Sequence, residues 1–112
     1  MPDANARRLL SYLFGGSKGG DNRIKIIDLL EERPYNINQL AKVLGLDYKA
    51  IQHHIVVLEK NNLMSKMGEK YGILHFISNY LEANIESFNE IRSKIKNDVG
   101  ICVYTAFLIL RW

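Results

Sequence analysis

The sequence predicts a mainly helical α+β fold: a winged helix-turn-helix with a two-stranded wing and a long C-terminal dimerisation helix. Three observations carry that expectation. A short helical pattern, a glycine turn and a longer helical pattern follow one another from Ile37 to Asn61. A glycine-punctuated hairpin pattern comes next, from Leu63 to Ile77. From Leu81 onward, apolar residues recur at heptad spacing.

Each element has a local reason. Ala4 to Phe14 forms a first helix, and Gly15-Gly16-Ser17-Lys18-Gly19-Gly20 is expected to be a linker loop. Asp21 or Asn22 can cap a second helix on which Ile24, Ile27 and Leu30 share a face. Pro34 ends it, because the residue before proline is pushed out of the helical region. Asn36 to Gln39 reads as a capping box; Leu40, Ala41 and Leu44 form the apolar stripe, and Gly45 supplies the left-handed stop.

Asp47 caps the next helix, Tyr48 to about Asn61, with Ile51, Ile55 and Leu58 facing inward. Leu63–Lys66 and Ile73–Ile77 read as strands joined through Met67 to Gly72. Asn79 to Glu82 reads as a second capping box that opens the long C-terminal helix. The chain then divides into residues 1–78, a DNA-binding winged unit, and residues 79–112, a dimerisation helix with an apolar tail.

Composition narrows the function. The 112 residues suit one domain and are too few for the large cofactor-binding folds. The single cysteine, Cys102, excludes an internal disulfide or a cysteine-rich zinc site, and a cytoplasmic setting is expected. The net charge is only +3, but its distribution is uneven. Residues 1–66 hold ten Lys and Arg against seven Asp and Glu, whereas residues 67–112 hold five of each sign. The basic excess therefore lies over the helix-turn-helix, where a nucleic-acid surface would be.

With Ile51, Ile55 and Leu58 turned inward, Tyr48, Lys49, Gln52 and His53, with Val56 beside them, point outward. Those residue types suit a major groove. Lys49 can meet a phosphate or guanine, Gln52 can pair with adenine, and Tyr48 can reach a phosphate or a thymine methyl. Lys66 and Lys70 are placed on the wing to touch the DNA backbone or minor groove, and Lys18 and Arg23 flank a helix N-terminus that can hold a phosphate. His54 is expected to pack between helices and His75 to face solvent, neither as a metal ligand. Paired carboxylates, a nucleophile with its base and metal-ligand spacing are all missing, so no enzyme activity, metal or cofactor is expected.

The run from Gln39 to Leu58, with Leu44-Gly45-Leu46-Asp47-Tyr48-Lys49 at its turn and His53-His54-Ile55 beyond, resembles the ArsR-like winged helix-turn-helix regulators. Gly19 to Arg23, Glu31 to Pro34 and Lys70-Tyr71-Gly72 look like a group of them common in archaea. The resemblance spans about Leu9 to Ile95. It implies a homodimeric, double-stranded DNA-binding transcriptional regulator with the helix from Tyr48 in the major groove and the hairpin as wing. Metal-sensing members carry a cysteine motif on the helix matching Ile37–Leu44; here that helix has none, so no metal effector carries over.

Leu81, Ile85, Phe88, Arg92, Ile95 and Val99 follow heptad spacing, continued by Cys102, Ala106 and Ile109. A dimer seam is the preferred reading and packing on the chain's own domain the other. Val99 to Leu110 carries no charge, yet as a helix these residues span roughly 18 Å, short of a ~30 Å hydrocarbon core. A buried dimer helix is therefore preferred for the tail over membrane contact, and no secretory signal is expected at the N-terminus. For the whole chain the alternative to DNA binding is a winged-helix docking module for proteins.

Overall fold

A computed structural model describes residues 4–16 and 18–99. Helix α1 (Ala4–Leu10) runs into a π-helical turn (Ser11–Gly16), followed by α2 (Gly20–Glu32), α3 (Ile37–Leu44) and α4 (Tyr48–Lys60). An antiparallel hairpin, β1 (Met64–Glu69) and β2 (Tyr71–Ile77), precedes α5 (Asn79–Ala83) and α6 (Ile85–Val99). This is the winged helix-turn-helix expected from the sequence.

Helix α2 is the centre of the core. It buries Ile24, Ile26, Ile27, Leu29 and Leu30, more than one face's worth, because neighbouring elements cover it on several sides. Leu10, Leu13 and Phe14 pack with it from the N-terminal segment, Leu40 from α3, Ile51, Ile55 and Leu58 from α4. Leu81, Phe88 and Ile91 close the core from the C-terminal side.

The glycine-rich stretch is not a linker. The helix persists through Gly16 in the wider π form, which turns both Leu13 and Phe14 inward. Gly20 then opens α2 against the preceding turn, where a Cβ would fall 2.4 Å from the Phe14 carbonyl oxygen. The cap position is Gly19, with φ of +89°, and no side chain caps the helix; the expected Asp21 or Asn22 cap is corrected.

The helix-turn-helix follows its local signals closely. Asn36 accepts from the Gln39 amide at 2.8 Å while Gln39 accepts from the Asn36 amide at 3.0 Å, closing the capping box. Gly45 adopts φ of +68°, and the Leu46 amide donates back to Ala41 to seal the turn. Asp47 holds the cap position of α4 as expected, though its side chain makes no capping bond.

The C-terminal segment departs from expectation. Ser78, rather than Asn79, caps α5 by accepting from the Leu81 amide. The helix breaks at buried Asn84, whose amide group donates to the Tyr80 carbonyl, and α6 starts afresh at Ile85. Leu81 and Phe88, on either side of the break, both point into the core.

That placement revises the proposed seam. Leu81 and Phe88 are fully covered, and Phe88 meets Phe14 edge to face at 5.0 Å. Ile85 and Ile95 are partly buried against the same core. Arg92 interrupts the heptad because it pairs with Asp28 of α2, and Glu31 lies 3.4 Å away. The side chain of Val99 and all of the tail from residue 100 lie outside the described residues. No helix among the described residues is long and apolar enough to cross a membrane.

Candidate nucleic-acid interface

The second helix of the motif, α4, is amphipathic by spacing. Ile51, Ile55 and Leu58 are buried, and Tyr48, Lys49, Gln52, His53 and Val56 are exposed. The three-to-four spacing of the buried set forces the others outward. Sequence reasoning placed all five correctly.

The hairpin folds back beside that outward face. Its register sets Lys66 opposite His75 and Met67 opposite Leu74, and a bulge between Met67 and Glu69 brings the turn forward. Gly68 and Gly72 take positive φ at no steric cost, and Lys70 between them also takes positive φ, which closes a tight turn at the wing tip. Between α4 and the wing lies a groove whose lining includes Tyr48, Gln52, Val56, Lys66, Lys70 and Ile73. Lys49 and His53 sit one residue round the helix, outside this lining.

The structure thus brings Tyr48, Gln52, Lys66 and Lys70 together in one concavity, with Lys49 and His53 on the adjoining flank. Lys66 and Lys70 are exposed, as is Lys18 in the turn before α2. Such a surface offers cations for phosphates, an amide for bidentate pairing with a base, and a phenol and a valine for apolar contact. Sequence reasoning missed Met67, which is 56% exposed at the wing; its neighbours gave no burial pattern that would have singled it out.

Two expected surface residues lie elsewhere. Arg23 is 4% exposed: Nε donates to the Leu13 carbonyl at 3.0 Å, Nη2 donates to the Lys18 carbonyl at 3.1 Å, and Nη1 meets Nδ1 of His54 at 3.3 Å. It stands inside the molecule and is no phosphate contact. His75 is likewise buried, not solvent-facing. Its backbone bridges both ways to Tyr35, the residue leading into α3, and its ring faces Glu59 of α4 at 3.7 Å. Strand alternation predicted an outer face, but the hairpin's root is covered by α4 and by Tyr35.

Both buried histidines resist protonation. Burial, then Arg23, then His53 lower the pKa of His54. Burial lowers that of His75, partly countered by Glu59 and reinforced by Lys66. His54 packs between helices, as its sequence neighbours implied. Among the described residues no group of three or more His, Cys, Asp or Glu side chains could hold a metal ion.

Comparison with known proteins gives a consistent picture. Residues 20–66 match the family described as bacterial regulatory protein, arsR family. No curated protein sequence matches the chain. Among solved structures, HlyU from Vibrio cholerae N16961 superposes with a TM-score of 0.60 at 16% identity, covering 88% of this chain and 98% of that one. The adhesin competence repressor AdcR from Streptococcus pyogenes gives 0.58 at 18% identity, covering 93% of this chain and 74% of its own. A MarR family protein from Bacillus stearothermophilus gives 0.55 at 14% identity, covering 93% of this chain and 78% of its own. At these identities the likeness is one of fold.

Proposed function

We propose that this chain, whose residues 20–66 match the arsR regulatory family within a winged-helix fold, is a sequence-specific double-stranded DNA-binding transcriptional regulator that acts as a homodimer. One observation carries the reading. The exposed face of α4 and the wing lysines converge on a single groove, with Lys49 exposed on the adjoining flank of α4. In this reading α4 enters the major groove, where Lys49 and Gln52 meet base edges and Tyr48 a phosphate or thymine methyl. Lys66 and Lys70 follow the backbone from the wing, and Lys18 adds a phosphate contact. Arg23 has no part at the DNA surface.

The dimer would use the outer sides of Ile85 and Ile95, which the core covers only in part, together with the apolar sequence that follows from Val99. A two-fold axis there sets two α4 helices on half-sites about one DNA turn apart. Such a regulator works in the cytoplasm, with the genome.

The test is selection of genomic fragments by the purified protein, followed by titration of a selected duplex at low and high salt. Affinity should fall linearly with the logarithm of salt, with a slope of about −0.9 per neutralised phosphate. No binding at low salt would refute DNA recognition and leave the docking-module alternative. Sedimentation velocity tests the dimer: a monomer at micromolar concentration, with and without DNA, would refute it.

A further inference from the structure

The seat of the recognition helix contains a buried polar contact that the groove does not use. Arg23 and His54 are 4% and 8% exposed, and the guanidinium Nη1 lies 3.3 Å from imidazole Nδ1. A guanidinium has donors only, so Nδ1 must offer its lone pair and the ring's proton sits on Nε2. The same guanidinium holds the carbonyls of Leu13 and Lys18. The π-helical turn, the Lys18–Gly19 turn and α4 are therefore all gathered on one cation.

The approach is also sterically narrow. Gly19 has φ of +89°, and a Cβ there would lie 2.8 Å from Cε1 of His54 and 3.3 Å from Nη1 of Arg23. Only glycine lets this turn meet α4 so closely. The groups facing the ring are Arg23 from α2, the Gly19 backbone, and His53 on its own helix at 5.6 Å between ring centroids. Tyr12 bears electrostatically on Arg23.

We infer that Arg23 and His54 are positioning residues for the recognition helix and form a proton-responsive lock, seated when the imidazole is neutral and released, with loss of DNA affinity, when Nδ1 is protonated. Protonation sets N–H against N–H and cation against cation, in a largely buried site. Burial, Arg23 and His53 all favour the neutral ring, so the lock is closed at neutral pH and opens on acidification. The effect on affinity rests on the DNA-binding reading; the lock itself does not.

The experiment has two arms. Anisotropy of a labelled random-sequence duplex, at constant ionic strength, is measured from pH 7.5 to 5.5 for the wild type and His54→Gln. Over whatever part of the acid range its His54 ring titrates, the wild type should lose affinity, while the glutamine variant, which keeps an acceptor but cannot titrate, should not. A gain in affinity on acidification would have the wrong sign for release of the lock and would overturn it. Equal acid loss in both proteins, or no loss in the wild type although His54 titrates, would overturn the proposal.

The second arm uses the wild type without DNA, so it survives a variant that fails to fold. NMR titration of the His54 ring and the protection of α4 amides, corrected for intrinsic exchange, should share one midpoint. Protection that is indifferent to His54 titration would overturn the lock. If the duplex is not bound at any pH, the DNA reading fails, and this shared midpoint still decides the lock.

Discussion

In the helical body, formed by α1, the π-helical turn, α2, α5 and α6, three charged side chains, Arg23, Asp28 and Arg92, are drawn into or against the core. Arg92 lies over the Phe88 ring and pairs with Asp28, whose side chain is 5% exposed, while Arg23 is buried among carbonyls and His54. In the helix-turn-helix and wing, Lys49, Gln52, Lys66 and Lys70 are exposed, and among the described residues none enters an ion pair. The same residue types thus do different work according to what covers them. Charges in the body organise a scaffold, whereas those on the groove are left available to a ligand. The exposed Arg7–Glu90 pair joins α1 to α6 but, open to solvent on both sides, adds little.

Substitutions in the two regions should therefore separate stability from binding. The largest effect belongs to the body. Phe88→Ala removes the ring packed on Phe14 and should cost about 3–5 kcal/mol in denaturant unfolding. With total stability commonly on the order of 5–15 kcal/mol, that brings the fold near its limit. A cost below 1 kcal/mol would mean that α6 is not part of the core.

The matching change in the other region is Lys49→Ala with Gln52→Ala. Each good base contact is worth roughly 1–3 kcal/mol, so specific binding should be lost while the melting temperature stays near wild type. A double variant with full operator affinity would remove α4 from the interface. Arg92→Met leaves the Asp28 carboxylate buried without its guanidinium and should cost about 1–3 kcal/mol, with DNA affinity per folded molecule unchanged. Loss of affinity without loss of stability would blur the boundary between the regions.

Asn36→Ala opens the capping box and should cost about 1 kcal/mol. The mildest effect is on pH. His54 and His75 have folded-state pKa values below the usual 6.5, so the unfolded chain binds more protons in mild acid. Their contribution is present above the unfolded value and is lost as pH falls from about 6.5 through the folded values. Thermal melts should show it, and His54→Gln with His75→Gln should flatten the curve between pH 7 and 5.

Local signals were legible where their partners lie within a few residues. The Asn36–Gln39 box, the Gly45 stop and the outward set on α4 depend on contacts no more than one or two turns apart, and each was read from spacing alone. The wing was also legible, though its strands run longer than the apolar pattern suggested, because β1 continues past Lys66 through exposed Met67, Gly68 and Glu69 once paired. The glycine-rich stretch misled for a physical reason. Glycine permits flexibility, but it equally permits the backbone approaches made by Gly19 and Gly20.

The sequence by itself determined the order of the elements, the helix-turn-helix turn and the residues α4 turns outward, since periodicity defines a face and caps define its ends. Periodicity does not say what covers that face. Only the tertiary structure decided that Leu81 and Phe88 close this domain's own core, that Arg92 belongs to Asp28, and that Arg23 and His75 lie inside. Those outcomes depend on residues far apart in the chain, such as Phe14 with Phe88 and Arg23 with His54, whose meeting is set by how the helices stack.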